Sequence, residues 1–249
     1  MDITEIRTKS ALVRSRIPGV DYVINPYLGC GHGCRYCYAV FMRKYSHHHA
    51  ATPWGQFVEV KVNIAQVLRD ELGRKRQRGS AMLSSVCDPY QPAERRYRLT
   101  RACLEALRDF RWGIEILTRS PLVTRDIGIL LAAKASVGLS IPTDDDKIRG
   151  ILEPGSPPIG SRIATLKRLR EAGLETWAFI GPMLPMNPTA LYQAVNPHVS
   201  SVLIDALNYR NQIAWLYRQQ GWDYELTDEY ADETAGVLKG LFGAKAERV

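Results

Sequence analysis

The spacing of apolar residues changes period repeatedly along the chain, and each change marks the end of one kind of element and the start of another. Residues 22–25, 81–86, 114–118, 137–141, 176–180 and 199–204 are short runs rich in Val, Ile, Leu and aromatic residues, and they read as strands. Residues 57–62 alternate in a way that suits a half-buried strand or an extended connector. Between these runs the period becomes helical. Ile64, Val67, Leu68 and Leu72 follow Asn63, a residue type that caps helices, and the pattern stops near Gly73. Leu99, Ala102, Cys103, Ala106 and Leu107 predict a helix over about 98–110, with Cys103 in the core. Thr124 through Ile127, Leu130 and Leu131 predict another, and Ser161 with Ile163, Leu166 and Leu169 a third that ends near Gly173. Strands separated by helices of this length are the signature of parallel βαβ units.

The stretches outside this alternation are polar or rich in turn residues. Residues 1–20 carry Arg7, Lys9, Arg14 and Arg16 and read as an arm leading to the first strand. Residues 142–160 include Asp144, Asp145 and Asp146 and five prolines or glycines between 150 and 158, so a long surface loop with a helix-capping turn is expected. Arg162 follows, suited either to a ligand or to the surface. His47, His48 and His49 are adjacent, but neighbouring residues point in different directions, so a polar turn is expected there rather than a metal site. Arg74, Lys75, Arg76 and Arg78 read as a solvated helix end. Residues 207–249, with Trp215, Tyr217, Trp222 and Tyr224, read as helices packing on or closing the main domain, which is taken as 21–206.

Size and charge narrow the picture only a little. The 249 residues, 45% hydrophobic, allow one sizeable core, and no stretch approaches the roughly 20 apolar residues of a membrane helix. Five cysteines, three of them crowded together, do not form a disulfide framework, and a cytoplasmic setting is expected. The excess of 33 Lys and Arg over 26 acidic residues, a net charge of +7, favours polyanionic partners without establishing one.

Candidate chemistry concentrates in Gly29-Cys30-Gly31-His32-Gly33-Cys34-Arg35-Tyr36-Cys37-Tyr38, a C-x3-C-x2-C pattern in a glycine-rich loop. Thiolates select zinc, copper(I) or iron–sulfur clusters. Three thiolates leave one iron of a four-iron cluster without a protein ligand, whereas structural zinc closes its tetrahedron, which here would require His32 or a distant histidine.

The cysteine spacing, with Tyr36 just before the last cysteine, resembles the radical S-adenosylmethionine (radical SAM) superfamily. The phrase from Asn25-Pro26-Tyr27-Leu28 through Cys37-Tyr38-Ala39 is similar to the branch related to spore photoproduct lyase, as is Asp88-Pro89-Tyr90-Gln91-Pro92. The resemblance implies a partial (α/β)6 TIM-like barrel and a [4Fe-4S] cluster on Cys30, Cys34 and Cys37. It implies S-adenosylmethionine (AdoMet) lying across the strand ends and an external one-electron donor of flavodoxin or ferredoxin type. Tyr36 and Tyr38 then pack near the cofactor, with Tyr38 able to relay hydrogen, and Ser85, Arg119 and Ser140 stand at strand ends where AdoMet is met. Residues 181–188 resemble the loop that holds the adenine. The lyase's hydrogen-donor cysteine matches Ser85, while this chain has Cys87 two positions on, the same face if the strand continues. Where the lyase has lysine at the position of Arg119, arginine keeps the charge but offers a planar fork.

The expected activity is hydrogen-atom abstraction by a 5'-deoxyadenosyl radical, on a DNA photolesion or on another nucleotide, a peptide or a small metabolite. The competing expectation is a non-catalytic iron–sulfur or zinc protein that binds nucleic acid.

Overall fold

The stripe Ile64, Leu68 and Leu72 becomes the buried face of helix α1 (Ile64–Gly73) in a computed structural model that describes residues 1–249. The short apolar runs form the strands against which such helices pack. β3 (Tyr22–Ile24), β6 (Ser80–Leu83), β7 (Gly113–Thr118), β8 (Ser136–Ser140), β9 (Glu175–Ile180) and β10 (Ser201–Ile204) lie side by side in chain order and all run parallel. Helices α3 (Leu99–Asp109), α4 (Ile127–Ala132), α6 (Ile159–Glu171) and α7 (Pro188–Val195) connect them. This is the expected partial (α/β)6 barrel, and it does not close. Its edges are β2 (Val13–Arg14), antiparallel to β3, and β11 (Ala246–Arg248), parallel to β10. Val137 and Leu139 of β8 are buried, and Gly138 between them is required, because a Cβ there would fall 2.4 Å from the Trp177 ring.

Several segments depart from expectation. Within residues 1–20, read as an arm, β1 (Asp2–Ile6) pairs in parallel with β5 (Phe57–Lys61), which also pairs with β4 (Tyr27–Leu28), making a second, three-stranded sheet. β5 is buried from Phe57 through Val60, because two strands flank it and Glu59 is satisfied by Ser46. Asn63 does not cap α1; its side chain instead pairs with the Thr8 backbone in both directions, at 2.8 and 2.9 Å.

Residues 142–160 are not a surface loop. Asp145 caps α5 (Asp146–Leu152), and Leu152, Glu153 and Ser156 are buried. Ile148, Ile151 and Leu152 form an apolar stripe that joins a small second core with Cys34, Tyr36, Leu184 and Tyr217. The C-terminal residues supply α8 (Ala214–Gln220), α9 (Asp228–Phe242) and the edge strand β11. No helix is long and apolar enough to cross a membrane.

Candidate functional site

The glycine-rich loop leaves β4 by a turn that only glycine makes comfortably. Gly29 has φ +88°, and a Cβ there would fall 2.4 Å from the Phe57 carbonyl oxygen. The thiols of Cys30, Cys34 and Cys37 are free; the first two are buried and the third is half-buried. Burial pushes the Cys30 thiol well up and the Cys34 thiol to about 12, so both stay protonated unless a metal takes the sulfur.

Two other segments hold this loop in shape. Gln91, fully buried, accepts a hydrogen bond from the Gly31 N–H at 2.9 Å and donates one to the Gly29 carbonyl at 3.1 Å. Gly155 donates its N–H to the His32 carbonyl and lies so close that a Cβ would meet the Gly31 oxygen at 2.4 Å. Asp88, beside Gln91, accepts from the Tyr90 N–H, the Thr118 hydroxyl and the Arg119 N–H at 2.6–2.8 Å, which ties the same loop to the end of β7.

Tyr36, Arg119 and Ser140 converge, through two residues to which sequence reasoning gave no firm place. Glu153 accepts from the Tyr36 hydroxyl, from Arg119 Nε at 2.9 Å and from Arg162. Arg162, fully buried and so not at the surface, donates also to the Ser140 carbonyl at 3.0 Å and to Ser156. Burial alone would raise the Glu153 carboxyl, but the two guanidinium groups and the Tyr36 hydroxyl outweigh it and bring it to about 2. The Ser140 hydroxyl is buried with no partner, as is His32 Nδ1.

Tyr38, Ser85 and Cys87 form a second group. β6 stops at Leu83 because Ser84 takes φ +65°, so the expectation that Ser85 and Cys87 share one face of a continuing strand fails. Ser85 instead presents its carbonyl to the Tyr38 hydroxyl. Cys87 lies with Sγ 3.5 Å from the Tyr27 carbonyl and from Ser84 Oγ, and burial raises its thiol to about 12. It is near enough to Cys30 for a charge on one to be felt by the other. Residues outside both groups have other duties. His49 stacks on Phe57 at 5.0 Å, and Cys103 is core.

A model of the radical SAM superfamily matches residues 24–195, from the strand before the cysteine loop to the end of α7. The chain belongs to the radical SAM superfamily. An uncharacterized protein of Methanocaldococcus jannaschii is 38% identical over 186 residues, which span 74% of this chain and 69% of that one. An uncharacterized protein of Mycobacterium tuberculosis is 35% identical over 191 residues, 73% of this chain and 56% of its own length. Spore photoproduct lyase, solved with AdoMet and dinucleoside spore photoproduct, superimposes with a TM-score of 0.66 at 14% identity, over 99% of this chain and 81% of the lyase chain.

Membership of the radical SAM superfamily implies a [4Fe-4S] cluster and AdoMet. No three His, Cys, Asp or Glu side chains converge here on one point as they would around a single ion. The fit to a cluster therefore rests on the donor set. Three unpaired thiols on a loop braced by Gln91 and Gly155 match a cluster with one open iron, and the unpartnered Ser140 hydroxyl fits a polar ligand at the strand ends.

Proposed function

We propose that this radical SAM protein is an enzyme that abstracts hydrogen from a nucleic-acid base, in which Cys30, Cys34 and Cys37 would hold the cluster and residues at the ends of β6, β7 and β8 would hold AdoMet. Bound together and given one electron by an external donor, these groups supply reductive cleavage of the sulfonium and a 5'-deoxyadenosyl radical. The observation that carries this reading is the double grip of Gln91 on the backbone around Cys30, which joins the cysteine motif to the Asp88-to-Pro92 loop on the mouth of the barrel.

The chain's own residues then have distinct tasks. Arg119, oriented by Glu153 and Tyr36, would offer its remaining donors to the carboxylate of AdoMet. The Ser140 hydroxyl, lacking any protein partner, takes a polar group of the cofactor, as does Ser85 beside Tyr38. Cys87, kept protonated by burial, would give its thiol hydrogen atom to a substrate radical, and Tyr38 beside it would return one to the sulfur, refilled in turn from 5'-deoxyadenosine. A nucleic-acid substrate is supported by the net charge of +7 and by likeness to a fold that accommodates dinucleoside spore photoproduct.

The test is anaerobic reconstitution with iron and sulfide, then incubation with dithionite and AdoMet. Release of 5'-deoxyadenosine is expected, and a non-catalytic binding protein would release none. Addition of UV-irradiated oligonucleotide should then change the lesion. Unchanged lesions beside continued cofactor cleavage would move the substrate to a peptide or small metabolite.

A further inference from the structure

The rings of Phe41, Tyr38 and Tyr209 stand in a row at the mouth of the barrel. Tyr38 lies between the other two, with centroids 6.5 Å from Phe41 and 6.4 Å from Tyr209 and interplanar angles of 34° and 21°. They are 46, 44 and 52% exposed, although they come from the 3-10 turn after the cysteines and from the segment after β10, far apart in sequence. Aromatic rings gathered from two segments, one pair stacked and the other tilted, and left about half in water are not serving the core.

The surroundings are cationic and polar. Lys44 Nζ sits 5.8 Å from the Phe41 ring centre and 4.9 Å from that of Tyr45, and neither Lys44 nor Arg43, in the same 3-10 turn as Phe41, makes an ion pair. The carboxylates on this face are engaged: Asp228 by Arg210 at 2.7 Å, and Asp205 by Asn208 at 3.2 Å. Beside Tyr209 opens a cavity of about 560 Å³ whose lining includes Asn208, Asn211 and Gln212. The Asn211 and Gln212 amides can donate to and accept from the edge of a base at once, while that of Asn208 already donates to Asp205.

We propose that Phe41, Tyr38 and Tyr209 form a stacking platform for unpaired bases of a single-stranded or locally opened nucleic acid, its phosphates following Arg43 and Lys44. Every base has a π-face, so the rings hold it without regard to sequence, and the unpaired cations track the backbone. The choice of ligand rests on the nucleic-acid reading above.

The experiment is fluorescence anisotropy on the full, cluster-loaded chain with a short labelled oligothymidylate and with its duplex, alongside 5'-deoxyadenosine release without nucleic acid. The single strand should bind more tightly than the duplex, with affinity falling as salt rises. Phe41→Ala and Tyr209→Ala should each weaken binding roughly tenfold, Tyr209→Phe should restore it, and cofactor cleavage should stay at the wild-type rate. Arg43→Glu with Lys44→Glu should flatten the salt dependence. Failure of the wild type to bind, or affinity indifferent to loss of the rings, overturns the platform. If 5'-deoxyadenosine still forms in that case, the radical reading survives alone; ring-dependent binding with no cofactor cleavage leaves the platform and removes the enzyme.

Discussion

Gln91 spans Cys30, bonding to the residue before it and the residue after it with the two ends of one amide, at 3.1 and 2.9 Å. A side chain that satisfies the carbonyl and the N–H on either side of a cysteine fixes where its thiol points. In Gln91→Leu both backbone groups lose their partner, at about 1–3 kcal/mol each. The expected outcome is a lower melting temperature and, after reconstitution, fewer irons per chain, measured by iron and sulfide analysis.

Gly155→Ala should act on the same loop from its other side. A methyl group there meets two backbone oxygens, of Gly31 at 2.4 Å and His32 at 2.9 Å, neither of which can swing away as a side chain end would. Overpacking of this kind costs roughly 1–3 kcal/mol. Iron content should fall while the far-UV circular dichroism stays that of the wild type, and undiminished loading would show that the close approach does not matter to the loop.

Glu153→Gln leaves Arg162 fully buried without its counter-charge, and a loss of about 3–5 kcal/mol in urea unfolding is expected. The pH dependence has a definite sign. The carboxyl drops from 4.5 to about 2 on folding, so its contribution is complete above pH 4.5 and disappears as pH falls toward 2. Wild-type stability should decline across that window, and the Gln protein should show a shallower decline.

Cys87→Ala and Cys34→Ala should separate two kinds of cysteine. Loss of Cys34 should abolish the charge-transfer absorbance of the reconstituted protein. Cys87→Ala should retain it and still release 5'-deoxyadenosine, but give altered products from substrate; unaltered products would remove Cys87 from the hydrogen-return step.

The parallel strands and their helices were legible because most carry a readable pattern: Ile64, Leu68 and Leu72 fall on one face, and the short runs of β7 and β8 centre on Ile114, Ile116, Val137 and Leu139. The cysteine loop was legible from spacing alone. Glu153 was hidden because the five prolines and glycines nearby signal a loop, and they masked the stripe of Ile148, Ile151 and Leu152 that carries the segment inward. The end of β6 was missed because nothing about Ser84 announces a positive φ; tertiary constraint imposes it. β1 escaped notice because its polar residues pair at the edge of a small sheet, where alternation with buried partners is weak.

The incomplete barrel has a consequence for how this molecule behaves when crowded. Its rims are strands of two and three residues, each containing an arginine, Arg14 on one side and Arg248 on the other. Such stubs offer little ladder for a second copy to extend, and their long charged side chains fit poorly against a like edge. Cutting the chain back before Ala246 would bare β10, whose Val202 and Ile204 are wholly buried, and turn a guarded border into a sticky one.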